Sequence, residues 1–126
     1  MTIDAIRYRV LVVEDDADTR DVMGRLLRRT MSNVDTAESV GDALLFIEQS
    51  APTFPTHILL DLMLPDASGL VLLQYVRRCR LPVRVALLSA AGPTSADIAE
   101  AALLKPDAVF HKPIVFAEVE AWLNNT

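Results

Sequence analysis

Five short apolar runs, separated by segments of helical period, constrain this chain more than any other feature. Strands are expected at Tyr8–Val13, Val34–Ala37, Ile58–Asp61, Arg84–Ser89 and Ala108–Phe110. Most of these runs are continuously apolar, as strands covered on both faces are. Asn33-Val34-Asp35-Thr36-Ala37 instead alternates, which suits a more exposed edge. Between the runs, Val22, Met23, Leu26 and Leu27 form one apolar stripe, and Val40, Ala43, Leu44 and Ile47 a second. Gly69, Leu72, Leu73 and Val76 form a third; Val115, Phe116, Val119, Trp122 and Leu123 mark the last. Ser39 with Asp42, and Thr94 with Asp97, are partial capping boxes that open two of these helices. Strand alternating with helix means a parallel sheet with right-handed crossovers. Five units are too few for the eight-stranded barrel, which needs ~200 residues or more. The expected fold is therefore α/β, an open doubly wound sheet of five parallel strands with five helices. Its binding crevice lies beyond the carboxyl ends of the strands.

A chain of 126 residues fits one domain, taken as 1–126 with a core over about 8–123. Its hydrophobic content of 52% and mean hydropathy of +0.30 exclude a disordered chain. A net charge of −5 argues against nucleic acid as a direct partner. Arg20, Arg25, Arg28 and Arg29 are expected on a solvated helix face. No apolar run approaches the ~20 residues that cross a bilayer, and Met1-Thr2-Ile3-Asp4 does not open a signal peptide. Cys79, among Arg77, Arg78 and Arg80, is the single cysteine and suits a reducing compartment, so a cytoplasmic location is expected.

The chemistry sits at the strand ends. Glu14, Asp15 and Asp16 follow the first run, Asp61 closes the third and Ser89 the fourth, and Lys112 follows the fifth with Pro113 behind it. Parallel strands place these ends on one edge of the sheet. Carboxylates from neighbouring ends repel one another if both stay ionised. A hard cation removes that penalty, and Mg²⁺ suits sites that supply one or two carboxylates and leave room for water and phosphate. Lys112, one of two lysines beside Lys105, can hold a phosphoryl oxygen as a point charge. Asp16 reads as a cap for the first helix.

In four motifs the chain resembles the response-regulator receiver family of two-component signalling. They are Val-Val-Glu-Asp-Asp at 12–16, Leu-Leu-Asp-Leu-Met-Leu-Pro-Asp-Ala-Ser-Gly at 59–69, Leu-Ser-Ala at 88–90 and His-Lys-Pro at 111–113. The resemblance runs from about Tyr8 to Leu123. It implies a flavodoxin-like strand order of 2-1-3-4-5. It also implies that Asp61 is the phosphoacceptor, taking a phosphoryl group from a histidine kinase or a histidine phosphotransfer protein. Asp15 becomes a direct Mg²⁺ ligand with Glu14 assisting, and the backbone carbonyl of Met63 a further ligand. Ser89 becomes the hydroxyl that moves onto the phosphoryl group, Lys112 its cationic partner, and the bond before Pro113 is expected to be cis. The chain departs from the family's pattern at Val109, where an aromatic residue is usual; Phe110, one step later, faces the opposite side of the sheet. Leu104-Lys105-Pro106-Asp107 stands where glycine is usual, and Glu14 and Ser89 where Asp and Thr are common.

Other readings bear on the same residues. A haloacid-dehalogenase-like phosphatase places its nucleophilic Asp straight after the first strand, where this chain has Glu14. A flavin site lacks a phosphate-cradling loop there. A non-phosphorylated interaction module of the same fold, a pseudo-receiver, is the alternative that Val109 keeps open. His57 and His111 are expected to be structural or surface residues, and Trp122 a core residue. Ala99 and Leu103 suggest an apolar face on the fourth helix, which with the fifth strand and fifth helix would meet a second copy or a target. Only Asn124-Asn125-Thr126 follow the last helix, so the expectation is a stand-alone regulator or an excised receiver.

Overall fold

The computed structural model describes residues 8–31, 33–90 and 96–126. Among these the order is β1 (Arg9–Val13), α1 (Ala17–Leu27), β2 (Asn33–Ala37), α2 (Val40–Ser50), β3 (His57–Asp61), α3 (Gly69–Arg78), β4 (Arg84–Ser89), α4 (Ala96–Leu103), β5 (Ala108–His111) and α5 (Phe116–Asn124). All the strand pairs are parallel, and the order across the sheet is β2-β1-β3-β4-β5. Each expected strand stands within a residue of its place. No helix among the described residues is long and apolar enough to cross a membrane.

Strand alternation divides the core between two faces. Leu11, Val13, Ile58, Leu60, Val85 and Leu87 point to one side, beneath α2, α3 and α4. Val10, Val12, Leu59, Ala86 and Leu88 point to the other, where α1 brings Met23 and Leu27 and α5 brings Val119 and Leu123. β3 is buried along its whole length, which is why its sequence is a run and not an alternation. β2 is one of the two edge strands, with three of its five positions exposed.

Local chemistry starts the helices. Asp16 caps α1 by accepting from the Thr19 amide at 2.9 Å, and Ser39 caps α2 by accepting from the Asp42 amide at 3.0 Å. Thr94, expected to open α4, lies outside the described residues. Two stripe residues depart from expectation. Val22 is 53% exposed, because it lies about 100° around α1 from the buried Met23. Val115 is 55% exposed, because it precedes the first turn of α5 in extended conformation and never joins the helix face.

The fold places the carboxyl ends of β1 and β3 side by side: Val13 pairs with Leu60, one residue before Asp61. β1 is also where the winding reverses, since α1 carries the chain outward to β2 and α2 returns it past β1 to β3. This is the crevice position of an open α/β sheet.

Candidate functional site at the carboxyl edge of the sheet

Four of the side chains singled out in the sequence meet at this edge. Glu14 and Asp61 are almost fully buried, at 1% and 4% exposure. Lys112 reaches between them: its Nζ lies 3.2 Å from Glu14 Oε1 and 3.2 Å from Asp61 Oδ2, although Glu14 and Lys112 are 98 residues apart in the chain. Asp15 remains exposed, yet it offers an oxygen that joins those of Glu14 and Asp61, all within 4.8 Å of one another. An all-oxygen set of three carboxylates fits a hard divalent cation such as Mg²⁺ and is a poor match for a softer, nitrogen- or sulfur-seeking metal.

Backbone pairing fixes the frame. The Glu14 amide donates to the Ala37 carbonyl at 3.0 Å, which carries the β1–β2 ladder one step beyond the strand. The Leu62 amide donates to Leu88 O at 3.0 Å and the Lys112 amide to Ser89 O at 2.7 Å, so the exits of β3, β4 and β5 are stitched together. Ser89 is thereby on the same edge, buried at 1% exposure. The Met63 amide turns back to donate to Asp61 Oδ1 at 3.2 Å, while the Met63 side chain points to solvent at 69% exposure. The Lys112–Pro113 bond is cis.

The electrostatics follow from burial and crowding. Burial pushes the Glu14 carboxyl up from 4.5 to about 7; the hydrogen bond and charge of Asp61 add to the rise, and the Asp16 amide and Lys112 partly offset it. Burial alone would favour a neutral Lys112, but the charges of Asp61 and then Glu14 outweigh it and hold the ammonium above its ordinary value. Three acids thus face one ammonium.

Two residues outside the sequence-based set hold the surrounding loops. Asp66 accepts from the Val40 and Gly41 amides at 3.0 and 2.9 Å, tying the β3–α3 loop to the start of α2. Those amides, Gly41 first, hold the Asp66 carboxyl below the usual range. Arg20, expected on a solvated face, instead folds back: its Nη1 donates to Glu14 O at 2.9 Å and to Asp15 O at 3.2 Å. The Pro-Asp turn signal at 65–66 hinted at the first; no local pattern marks the second. His57 and His111 take no part in the acid cluster. His57 is buried at the opposite end of β3, with its ring centroid 5.2 Å from Tyr8 and 5.3 Å from Trp122. His111 is exposed.

Residues 10–124 match the protein-family model described as the response regulator receiver domain. The chain is 38% identical over 98 residues to a protein-glutamate methylesterase/protein-glutamine glutaminase of Myxococcus xanthus, a match covering 75% of this chain and 27% of that protein. It is 31% identical over 115 residues to the uncharacterized transcriptional regulatory protein YrkP of Bacillus subtilis, covering 90% of this chain and 47% of that one. The chain therefore spans less than half the length of these curated relatives. A CheY-like response regulator receiver domain protein from Methanospirillum hungatei superposes with a TM-score of 0.80 over 94% of each chain, at 23% identity, a likeness of fold.

Proposed function

The chain belongs to the response regulator receiver domain family, and on that premise we propose that it takes a phosphoryl group on Asp61, with Mg²⁺, and acts as a conformational signalling switch. The observation that carries this is the buried Asp61 carboxylate, grouped with those of Glu14 and Asp15 and 3.2 Å from the Lys112 ammonium. In the step, an Asp61 carboxylate oxygen attacks phosphorus, the phosphorus–nitrogen bond of a phosphohistidine breaks, and the imidazole leaves and regains a proton. Asp15, Asp61, the Met63 carbonyl and, through water, Glu14 would hold Mg²⁺, whose charge would offset that of the phosphoryl oxygens. Lys112 stabilises the same oxygens from the other side, and the Ser89 hydroxyl donates to one of them after transfer. The added charge then biases the position of α4 and its neighbouring strands.

The donor is a histidine kinase or a histidine phosphotransfer protein. It must bring its imidazole to the mouth of the pocket, so surfaces beside Lys112 touch it. An apolar groove of about 430 Å³ runs there, between α1 and the start of α5, lined by Val22, Met23, Leu26, Ile114 and Phe116. A second copy or a downstream target would use the α4–β5–α5 side, where Leu103 is 81% exposed. Action in the cytoplasm, as a stand-alone regulator or as the receiver of a longer protein, belongs to the same reading.

The test is Mg²⁺-dependent phosphoryl incorporation from a small-molecule donor such as acetyl phosphate. Wild type is expected to be labelled and Asp61→Asn to lose labelling; equal labelling of that variant removes Asp61 from the mechanism. The pseudo-receiver alternative rests on Val109, which packs on the α4 side of the sheet while Phe110 packs on the other, edge-on to Trp122 at 6.3 Å. Failure to bind beryllofluoride in the presence of Mg²⁺ would favour it.

A further inference from the structure

Arg20 lies one turn into α1, where an arginine would ordinarily extend into water. Its side chain is instead only 20% exposed, and one guanidinium nitrogen is forked between the carbonyl oxygens of Glu14 and Asp15 at 2.9 and 3.2 Å. These two residues supply two of the three carboxylates in the acid cluster. The direction of a peptide carbonyl and the exit of the adjoining side chain share the same backbone torsions. Pinning both carbonyls therefore limits where both carboxylates go. The other guanidinium nitrogen lies 3.7 Å from Glu38 on the β2–α2 loop.

We propose that Arg20 is a positioning residue for the divalent-cation site: its fork across the Glu14 and Asp15 carbonyls holds the β1–α1 turn with the acids aimed at the cation. This rests on the Mg²⁺ reading above. Two effects of opposite sign meet here. The fork preorganises the ligands, whereas the guanidinium charge repels a cation. Positioning prevails, because the guanidinium is engaged by two carbonyl oxygens and has Glu38 as a counter-charge. Residues that hold metal ligands in place are commonly worth a factor of ten or more in affinity.

The experiment is an Mg²⁺ titration by calorimetry of wild type, Arg20→Ala, Arg20→Gln and Arg20→Lys, beside urea unfolding of each in metal-free buffer. Arg20→Ala and Arg20→Gln are expected to bind Mg²⁺ roughly tenfold more weakly. Lysine, which keeps the charge but has no second nitrogen for Glu38, is expected to fall between. The urea midpoints are expected to change little. Phosphoryl uptake by the variants is expected to need more Mg²⁺ and to reach the wild-type rate at saturation. Unchanged or tighter Mg²⁺ binding by folded Arg20→Ala or Arg20→Gln overturns the proposal and leaves the phosphoacceptor reading standing. Loss of folding in both variants also overturns it, since Arg20 would then hold the fold and not the turn. Wild type that binds no Mg²⁺ at all brings down the functional reading as well.

Discussion

His57 shows how a single side chain sets a pH dependence without touching the site. It is 3% exposed, and its two ring nitrogens are each matched by a hydroxyl, Thr56 Oγ1 at 2.8 Å and Thr126 Oγ1 at 2.7 Å. Burial, reinforced by the charge of Arg84 and opposed by Asp107, lowers its pKa from 6.5 to about 4. The unfolded chain therefore binds a proton that the folded chain refuses between those values. Stability is present above pH 6.5 and is lost as pH falls towards 4, by at most about 3 kcal/mol. Urea unfolding between pH 7 and 4 is expected to show this slope, and His57→Gln to flatten it. An equal slope in the variant would assign it to the carboxylates. Lys112 matters in the other direction. It answers two buried carboxylates, so Lys112→Ala leaves them facing each other and is expected to lower stability by roughly 1–3 kcal/mol in metal-free buffer.

At the scale of elements, the site depends on how closely α3 approaches the end of β3. Gly69 opens α3, and its amide donates to Leu62 O at 2.7 Å. A Cβ at this position would overlap the carbonyl oxygen of Asp61 itself. The backbone φ is ordinary, so the requirement is space and not conformational freedom. Gly69→Ala must push α3 away from the phosphoacceptor, and a loss of about 1–3 kcal/mol is expected from such overpacking. Amide chemical shifts around Asp61 and Met63 are expected to move with it; an unperturbed spectrum with full stability would disprove the contact. Asp66 works on the far side of the same loop. It joins α2 to α3 through two amide hydrogen bonds, and its carboxylate also suits the positive end of the α2 dipole.

For the whole molecule, a cluster of acids at a sheet edge is a cost that the fold tolerates. Glu14, Asp15 and Asp61 converge on one point with Lys112 as their only ammonium among the described contacts. Removing one acid relieves repulsion. Asp61→Asn is therefore expected to be more stable than wild type without metal, by about 1 kcal/mol, and to gain less from added Mg²⁺. Thermal unfolding with and without Mg²⁺ checks both halves; lower metal-free stability of the variant would show that Asp61 is held mainly by its pairing with Lys112.

The order of strands and helices was legible because burial leaves a local trace: both-face cover makes β3 and β4 continuous apolar runs, and Asp16 and Ser39 announce their helices within a turn. The candidate acids and Lys112 were legible too, since parallel strands that end in polar residues can only send them to one edge. What local pattern does not carry is direction in space. Arg20 and the exposed Arg25 both read as helix arginines free to reach water, and only the β1–α1 turn supplies the carbonyls onto which Arg20 folds. Val22 and Val115 are as apolar as their buried neighbours, and their exposure comes from helix phase and helix start. The bond from Asp66 to Gly41 spans 25 residues, and the ion pair from Lys112 to Glu14 spans 98. The sequence by itself determined which groups arrive at the edge, because that follows from period and polarity. Their meeting within hydrogen-bonding reach was decided by the tertiary structure, because strand register and helix docking are set by the packing of both faces at once.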